Sequence, residues 1–175
     1  IKAYRMDVNS LELDTQFDRI VSIEMFEHLR NYKLILNSLN NLLKPDGRLF
    51  IHIFCHKKLT YFYEMKNNFD WMTKYFFQGG IMPSKDIFEY FNNDLEIINQ
   101  WDINGNHYSK TCKAWLNNHY KNRKKILDIF EKHYDEPKIW FNRWRIFFLS
   151  CEAFFALNNG KEYFVGHYLF KKSNQ

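Results

Sequence analysis

FDRIVSIEMFEHLRNYKLILNSLNNLLKPDGRLFIHIF, Phe17 to Phe54, holds two strand-like runs with a helical pattern between them. FDRIVSI is rich in β-branched residues and bounded by polar positions, which predicts a strand. After it the period changes. Tyr32, Ile35, Leu36, Leu39, Leu42 and Leu43 recur at three and four residues, the stripe of an amphipathic helix, and Lys44-Pro45-Asp46-Gly47 stops it. Arg48 to Phe54, RLFIHIF, is then a nearly continuous apolar run, the pattern of a strand covered on both faces. Strand, helix, turn and strand make a βαβ unit, whose home is a parallel, doubly wound α/β sheet.

Working outward from this unit, Ala3 to Val8 predicts a short strand ending at Asp7, followed by turn chemistry in NSLELDTQ. The chain starts almost inside that strand-like pattern, as a fragment would. Beyond Cys55 the order loosens through YFYEMKNNFDWMTKYFFQGGIMPS, where Gly79-Gly80 and Pro83 break any long element. Ser84 is placed to cap a helix, and LEIINQWDI predicts a further strand. Thr111 to Tyr134 and Glu136 to Leu157 carry apolar residues at helical spacing. Asn158-Asn159-Gly160 supplies a stop, and EYFVGHYLF alternates into a last strand. At 175 residues the chain is long enough for one domain with a real core, spanning 1–175.

Composition narrows the functional classes. Apolar residues at 46% and charged residues at 26% are ordinary globular usage, which sets aside disordered and collagen-like readings. Eighteen Phe, eleven Tyr and five Trp supply thick core packing or walls for a cation-bearing ligand, and for any single ring packing is the stronger reading. A net charge of +5 raises nucleic acid as a partner, but the one basic cluster is Lys121, Arg123, Lys124 and Lys125. It precedes Ile126, Ile129 and Phe130, so it reads as the solvated face of a packed helix, and no nucleic-acid partner is expected. Cys55, Cys112 and Cys151 are odd in number and lack CxxC spacing, which fits a reducing, cytoplasmic compartment. The longest apolar stretch, Trp144 to Leu157, is interrupted by Arg145 and Glu152 and is too short for an integral membrane segment. Nothing in the sequence fixes an oligomeric state.

In open α/β sheets ligands collect outside the carboxyl ends of the strands. SIEMFEHL, Ser22 to Leu29, lies at such an end. If Met25 to Leu29 begins a helical turn, Glu24, Glu27 and His28 fall at i, i+3 and i+4 and share one face. A carboxylate beside an imidazole raises its proton affinity and orients it, which makes a base or a cation binder near neutral pH. The plainer alternative is that Glu27 and His28 cap and solvate a loop. His52, Cys55 and His56 in HIFCH invite a metal reading, yet positions three apart on a strand face opposite ways, so no metal is expected and His52 reads as a polar wall of the cleft. Trp71, Tyr75, Phe76, Trp101, Tyr108 and Trp144 could cage an amine, although each alone is more simply core. No GxGxG or GxGxxG loop occurs, so the residues by themselves give an α/β ligand-binding domain with an acid/base cluster.

FDRIVSIEMFEHLRNY, LLKPDGRLFIHIFCH, DWMTKYFFQGGIMPS, WDINGNHYSKTCKAWL and NNGKEYFVGHYLFKK, read together, resemble the cyclopropane-fatty-acid synthase family of S-adenosylmethionine-dependent methyltransferases, nearest its plant coclaurine N-methyltransferase branch. The resemblance implies a Rossmann-like class I methyltransferase sheet lacking its first strands and glycine-rich loop, with a helical substrate-covering insertion and an antiparallel last strand. It implies S-adenosylmethionine as cofactor, with Asp7 and Val8 beside the adenine and Ile23 and Glu24 on the wall near the sulfonium. In the amine branch the counterparts of Glu24, Glu27 and His28 surround the substrate nitrogen, with His28 accepting its proton. In the lipid branch the counterparts of Glu27, His52 and Tyr108 bind bicarbonate as the base, and Cys55 stands where that branch has glycine. The expected activity is methylation of a small amine. Modification of unsaturated phospholipid acyl chains and an inactive remnant are the alternatives. The resemblance also implies that this chain alone binds the cofactor poorly and folds marginally.

Overall fold

The computed structural model describes residues 2–67, 69–91 and 93–173, and their contacts fall into two compact units, Ile1–Asp102 with Gly166–Gln175, and Ile103–Val165. The first is built around a sheet. Its strands are Phe17–Ile23 (β1), Leu43–His56 (β2), Leu95–Ile103 (β5) and Tyr163–Lys172 (β6), in the order β1-β2-β6-β5, while Tyr61–Phe62 (β3) and Ile81–Met82 (β4) pair separately as a small antiparallel ribbon. β1 and β2 run parallel, with Ile20 opposite Leu49, Ser22 opposite Ile51 and Ile23 opposite His52. The crossover between them is Tyr32–Leu42 (α1). This is the βαβ unit that the sequence predicts, and β1 has the predicted bounds.

α1 forms where Asn31 accepts the Leu34 amide on its side chain at 3.3 Å, satisfying one of the first-turn donors. It ends at Leu42, and β2 begins at once, with Lys44 to Gly47 bulging out so that Phe17 pairs with Leu43 but Arg19 with Arg48. The apolar stripe of α1, Tyr32, Ile35, Leu36 and Leu39, packs into one cluster with Leu49, Ile51 and Ile53 of β2, Tyr168 and Phe170 of β6, and Phe26 and Phe88. Phe88 is its hub. It meets Tyr168 at 4.7 Å, Tyr32 at 5.4 Å and Phe26 at 5.7 Å between ring centroids. Burying each such ring is worth about 2–3 kcal/mol before aromatic contacts are counted.

Two strand expectations change. Ala3 to Val8 is not a strand: the segment is exposed and leads into a 3-10 turn, Val8–Ser10, because no described strand lies beside it to complete a ladder. RLFIHIF is covered fully on one face and, on the other, only towards its end, where Phe54 is buried. Leu49, Ile51 and Ile53 are fully buried, whereas Phe50 and His52, pointing the other way, are half-buried.

The second unit is helical, with Gly105–Lys121 (α2), Arg123–Phe130 (α3) and Pro137–Gly160 (α4). α2 starts earlier than the apolar spacing predicts, because the Asn104 side chain accepts the Asn106 amide at 2.9 Å and caps it. Gly105 is required there, since a Cβ would run into the carbonyl oxygens of Tyr163 and Phe155. The helix expected to run on to Tyr134 breaks at Asn122, and α3 follows. At the expected stop, Asn158 and Asn159 take left-handed conformations, φ 51° and 54°. No described helix is long and apolar enough to cross a membrane.

Candidate active site

β1 ends at Ile23, and Glu24 turns the chain with φ +51° while its amide still donates to the His52 carbonyl at 3.1 Å. A left-handed glutamate costs on the order of 1 kcal/mol. It takes Glu24 out of the following turn, Phe26–His28, which is a 3-10 rather than an α-helical turn. The single face that i, i+3, i+4 spacing predicts is therefore absent. Glu24 meets His52 of β2 instead, while Glu27 is buried and His28 exposed, with their side chains 4.0 Å apart.

Phe26 pins this turn to the core. It is fully buried, and the Tyr32 hydroxyl donates to its carbonyl at 3.0 Å. Glu27 is 2% exposed, and its Oε2 has no hydrogen-bond partner among the described residues. Burial, and secondarily the charge of Glu24, push its pKa up to about 8. His28 is more open. Its Nε2 lies 4.0 Å from Glu27 Oε1, and its ring stacks at 6.0 Å on Phe77, which stacks in turn on Tyr63 at 4.8 Å.

The YFFQGG block thus sits against the MFEH block. Gly80 makes this possible: a Cβ there would come within 2.6 Å of the Glu27 carbonyl oxygen. Arg30 ties the same loop down, donating from Nε to the Gly79 carbonyl at 2.7 Å with its guanidinium 4.6 Å over the Phe62 ring.

On the half-buried face of the sheet, His52 Nε2 meets Glu24 Oε1 at 2.9 Å, and His52 Nδ1 meets His167 Nε2 at 2.9 Å. His167 lies on β6. Its pKa is held below the ordinary imidazole value by burial and then by the charge of His52. Sequence reading missed His167. Strand alternation places it on the opposite face from Tyr168 and Phe170, but nothing in the sequence says that β6 lies beside β2.

The remaining predicted residues are placed as follows. Asp7 Oδ1 accepts the amide and side-chain nitrogen of Asn9 at 2.9 Å each, and Val8 begins the 3-10 turn that this caps. Ile23 leaves its side chain 60% exposed at the carboxyl end of β1. Tyr108 belongs to α2 in the helical unit and packs on Phe155 at 4.4 Å and Trp115 at 5.9 Å. Trp71 gathers Tyr75 and Phe76 around it, whereas Trp144 packs on Phe147 and Phe148 of its own helix. Of the HIFCH trio, Cys55 is fully buried and His56 Nδ1 accepts the Lys58 and Leu59 amides, so His52 alone joins the acidic turn.

Comparison with known proteins follows this geometry. The family model described as mycolic acid cyclopropane synthetase matches residues 4–162. An (S)-coclaurine N-methyltransferase from Papaver somniferum is 37% identical over 177 residues, covering 98% of this chain and 50% of that enzyme. A cyclopropane-fatty-acyl-phospholipid synthase from Escherichia coli K12 is 30% identical over 125 residues, covering 70% of this chain and 31% of that enzyme. The crystal structure of a coclaurine N-methyltransferase bound to N-methylheliamine and SAH superposes with a TM-score of 0.87 at 37% identity, covering 95% of this chain and 51% of that one. The chain therefore spans about half the length of the curated N-methyltransferases it matches.

Proposed function

The chain belongs to the mycolic acid cyclopropane synthetase family, and from that premise we propose that it serves an S-adenosylmethionine-dependent methyltransferase acting on a small amine. The observation that carries the reading is Glu27, a buried carboxyl with an unpartnered oxygen, set beside Glu24 and His28 at the end of β1. That is a seat for an ammonium ion. The relative bound to N-methylheliamine supports the amine class.

The residues of this chain fit the cofactor. The exposed Ile23 side chain offers an apolar wall at the strand end, and the neighbouring Glu24 carboxylate favours a sulfonium cation. Ile23 and Glu24 would hold that part of S-adenosylmethionine, and Asp7 and Val8 the adenine. When bound, it supplies an electrophilic methyl group.

The chain's own groups prepare the amine. An amine arrives protonated, and its positive charge draws Glu27 into the anionic form that burial otherwise disfavours. Glu24, held by His52, faces the same charge. His28 takes the ammonium proton and frees the nitrogen lone pair, and fixed placement of the nitrogen supplies much of the rate. In the lipid reading His52, with Glu27 and Tyr108, would bind bicarbonate, but both His52 nitrogens are engaged, by Glu24 and by His167. That favours the amine.

The test is transfer of labelled methyl groups to a panel of secondary amines and unsaturated phospholipids, with any coding sequence preceding Ile1 included in the protein. Label in an amine, reduced at least about a hundredfold by His28→Ala, is the expected result. Label in lipid alone would overturn it.

A further inference from the structure

We infer that Phe77 is a positioning residue for His28: its ring is the flat surface on which the otherwise open imidazole comes to rest. Only the task that His28 performs is taken from the amine reading.

The His28 side chain is 53% exposed, and its Nε2 stands 4.0 Å from Glu27 Oε1, beyond hydrogen-bond length. That loose ion pair is the polar contact of the ring among the described residues. A base must nevertheless meet its proton in one orientation, because a small misplacement costs much of the rate. What fixes the plane is Phe77. The two rings are parallel to within 18° at 6.0 Å between centroids, an offset stack.

Phe77 is itself held by two further rings. Tyr63 stacks on it at 4.8 Å and 18°, and the edge of Phe54 meets it at 5.7 Å and 82°. Phe54 is 5% exposed near the end of β2, so the platform stands on the sheet. Phe77 and Tyr63 are only half-buried and lie outside the apolar cluster around Phe88. The stack therefore opens beside the acidic turn, where core packing alone would have closed it off.

The backbone is shaped to deliver this ring. Thr73–Phe77 is a π-helical turn that ends at Phe77, and such turns are rare and recur at functional sites. The Gly80 amide donates to the Phe77 carbonyl at 2.9 Å and the Tyr63 amide to the Gly80 carbonyl at 3.0 Å, which makes one clip of the two stacked residues. Arg30, two residues beyond His28, closes that clip on the acidic turn. Its Nε donates to the Gly79 carbonyl at 2.7 Å, and its guanidinium reaches the Glu64 carboxylate at 3.6 Å. His28 and Phe77 are thus held together through the backbone as well as through their rings.

The experiment compares Phe77→Leu, Phe77→Tyr and His28→Ala, singly and combined, in the protein with any encoded upstream segment. Leucine keeps apolar bulk but offers no plane, whereas tyrosine keeps the plane. The expected result is a kcat about tenfold lower in Phe77→Leu at nearly unchanged KM, with most of the loss recovered in Phe77→Tyr. Added to His28→Ala, Phe77→Leu should lower kcat no further, because the two residues act as one unit. An equal loss with and without His28 would show that Phe77 serves packing or the substrate directly, and an unchanged kcat in Phe77→Leu would show that the ring is idle. Either outcome overturns the inference. Tyr63→Leu withdraws one support of Phe77 and should give the same pattern at about threefold; it carries the test if Phe77→Leu does not fold. NMR supplies a readout that needs no turnover: the His28 ring-proton signals should move in Phe77→Leu and return in Phe77→Tyr. Unmoved signals overturn the inference whatever the activity. If the unaltered protein methylates no amine, the amine reading fails, and the NMR comparison still decides the placement of His28.

Discussion

The two faces of the β1–β2–β6 sheet do different work. On one, Leu49, Ile51, Ile53, Tyr168 and Phe170 are essentially without solvent contact and meet α1, Phe26 and Phe88. On the other, Val21 and Ile23 are about 60% exposed, and the half-buried Phe50, His52 and His167 follow along the neighbouring strands. Strand alternation assigns neighbouring residues to opposite duties. Ile51 and Ile53 hold the sheet together, and His52 between them addresses the acidic turn.

Substitutions on the two faces should therefore part company. The largest effect expected is Phe88→Ala, which empties the hub of the covered face and should cost about 3–5 kcal/mol in chemical denaturation. A loss below about 1 kcal/mol would mean that this face is no more supporting than the open one. Ile51→Ala should cost about 2–4 kcal/mol, read from the same denaturation midpoints.

Next comes the group that lies between the two duties, Glu27. Its folded pKa of about 8 stands above the ordinary 4.5, so between those values the folded chain holds a proton that the unfolded chain has released. Stability should fall as pH rises from about 4.5 through about 8, and Glu27→Gln should remove that slope. Denaturation midpoints at a series of pH values would show it, and parallel slopes in the two proteins would refute the buried-acid assignment.

The smallest effect belongs to the open face. Val21→Thr should change stability by less than about 0.5 kcal/mol. A larger loss would show that this face is covered in solution.

Much of the covered face was legible in the sequence, because its signal is periodic. The α1 stripe, the FDRIVSI strand and LEIINQWDI stand where their patterns place them. The open face was legible only in part, for a physical reason. RLFIHIF is written in apolar residues on both sides, and a strand's own sequence cannot say whether anything lies on each side. Ala3 to Val8 failed similarly, since strand formation needs a neighbour as well as a pattern.

The site was half legible. The sequence singles out Glu24, Glu27, His28 and His52 as candidates, and the structure sets Glu24 against His52 and Glu27 beside His28. Their arrangement depends on the left-handed turn at Glu24, which α-helical spacing does not foresee. His167 depends on strand order, a long-range property.

That left-handed turn has a consequence for anyone improving the protein by selection. Glycine at position 24 would relax the backbone, and asparagine would tolerate it better than glutamate does. A screen for thermal tolerance would therefore enrich replacements at that position, and each would remove the carboxylate that faces His52. Robustness and the candidate site compete at one residue, and a library that leaves Glu24 free to vary would drift toward hardier chains without that carboxylate.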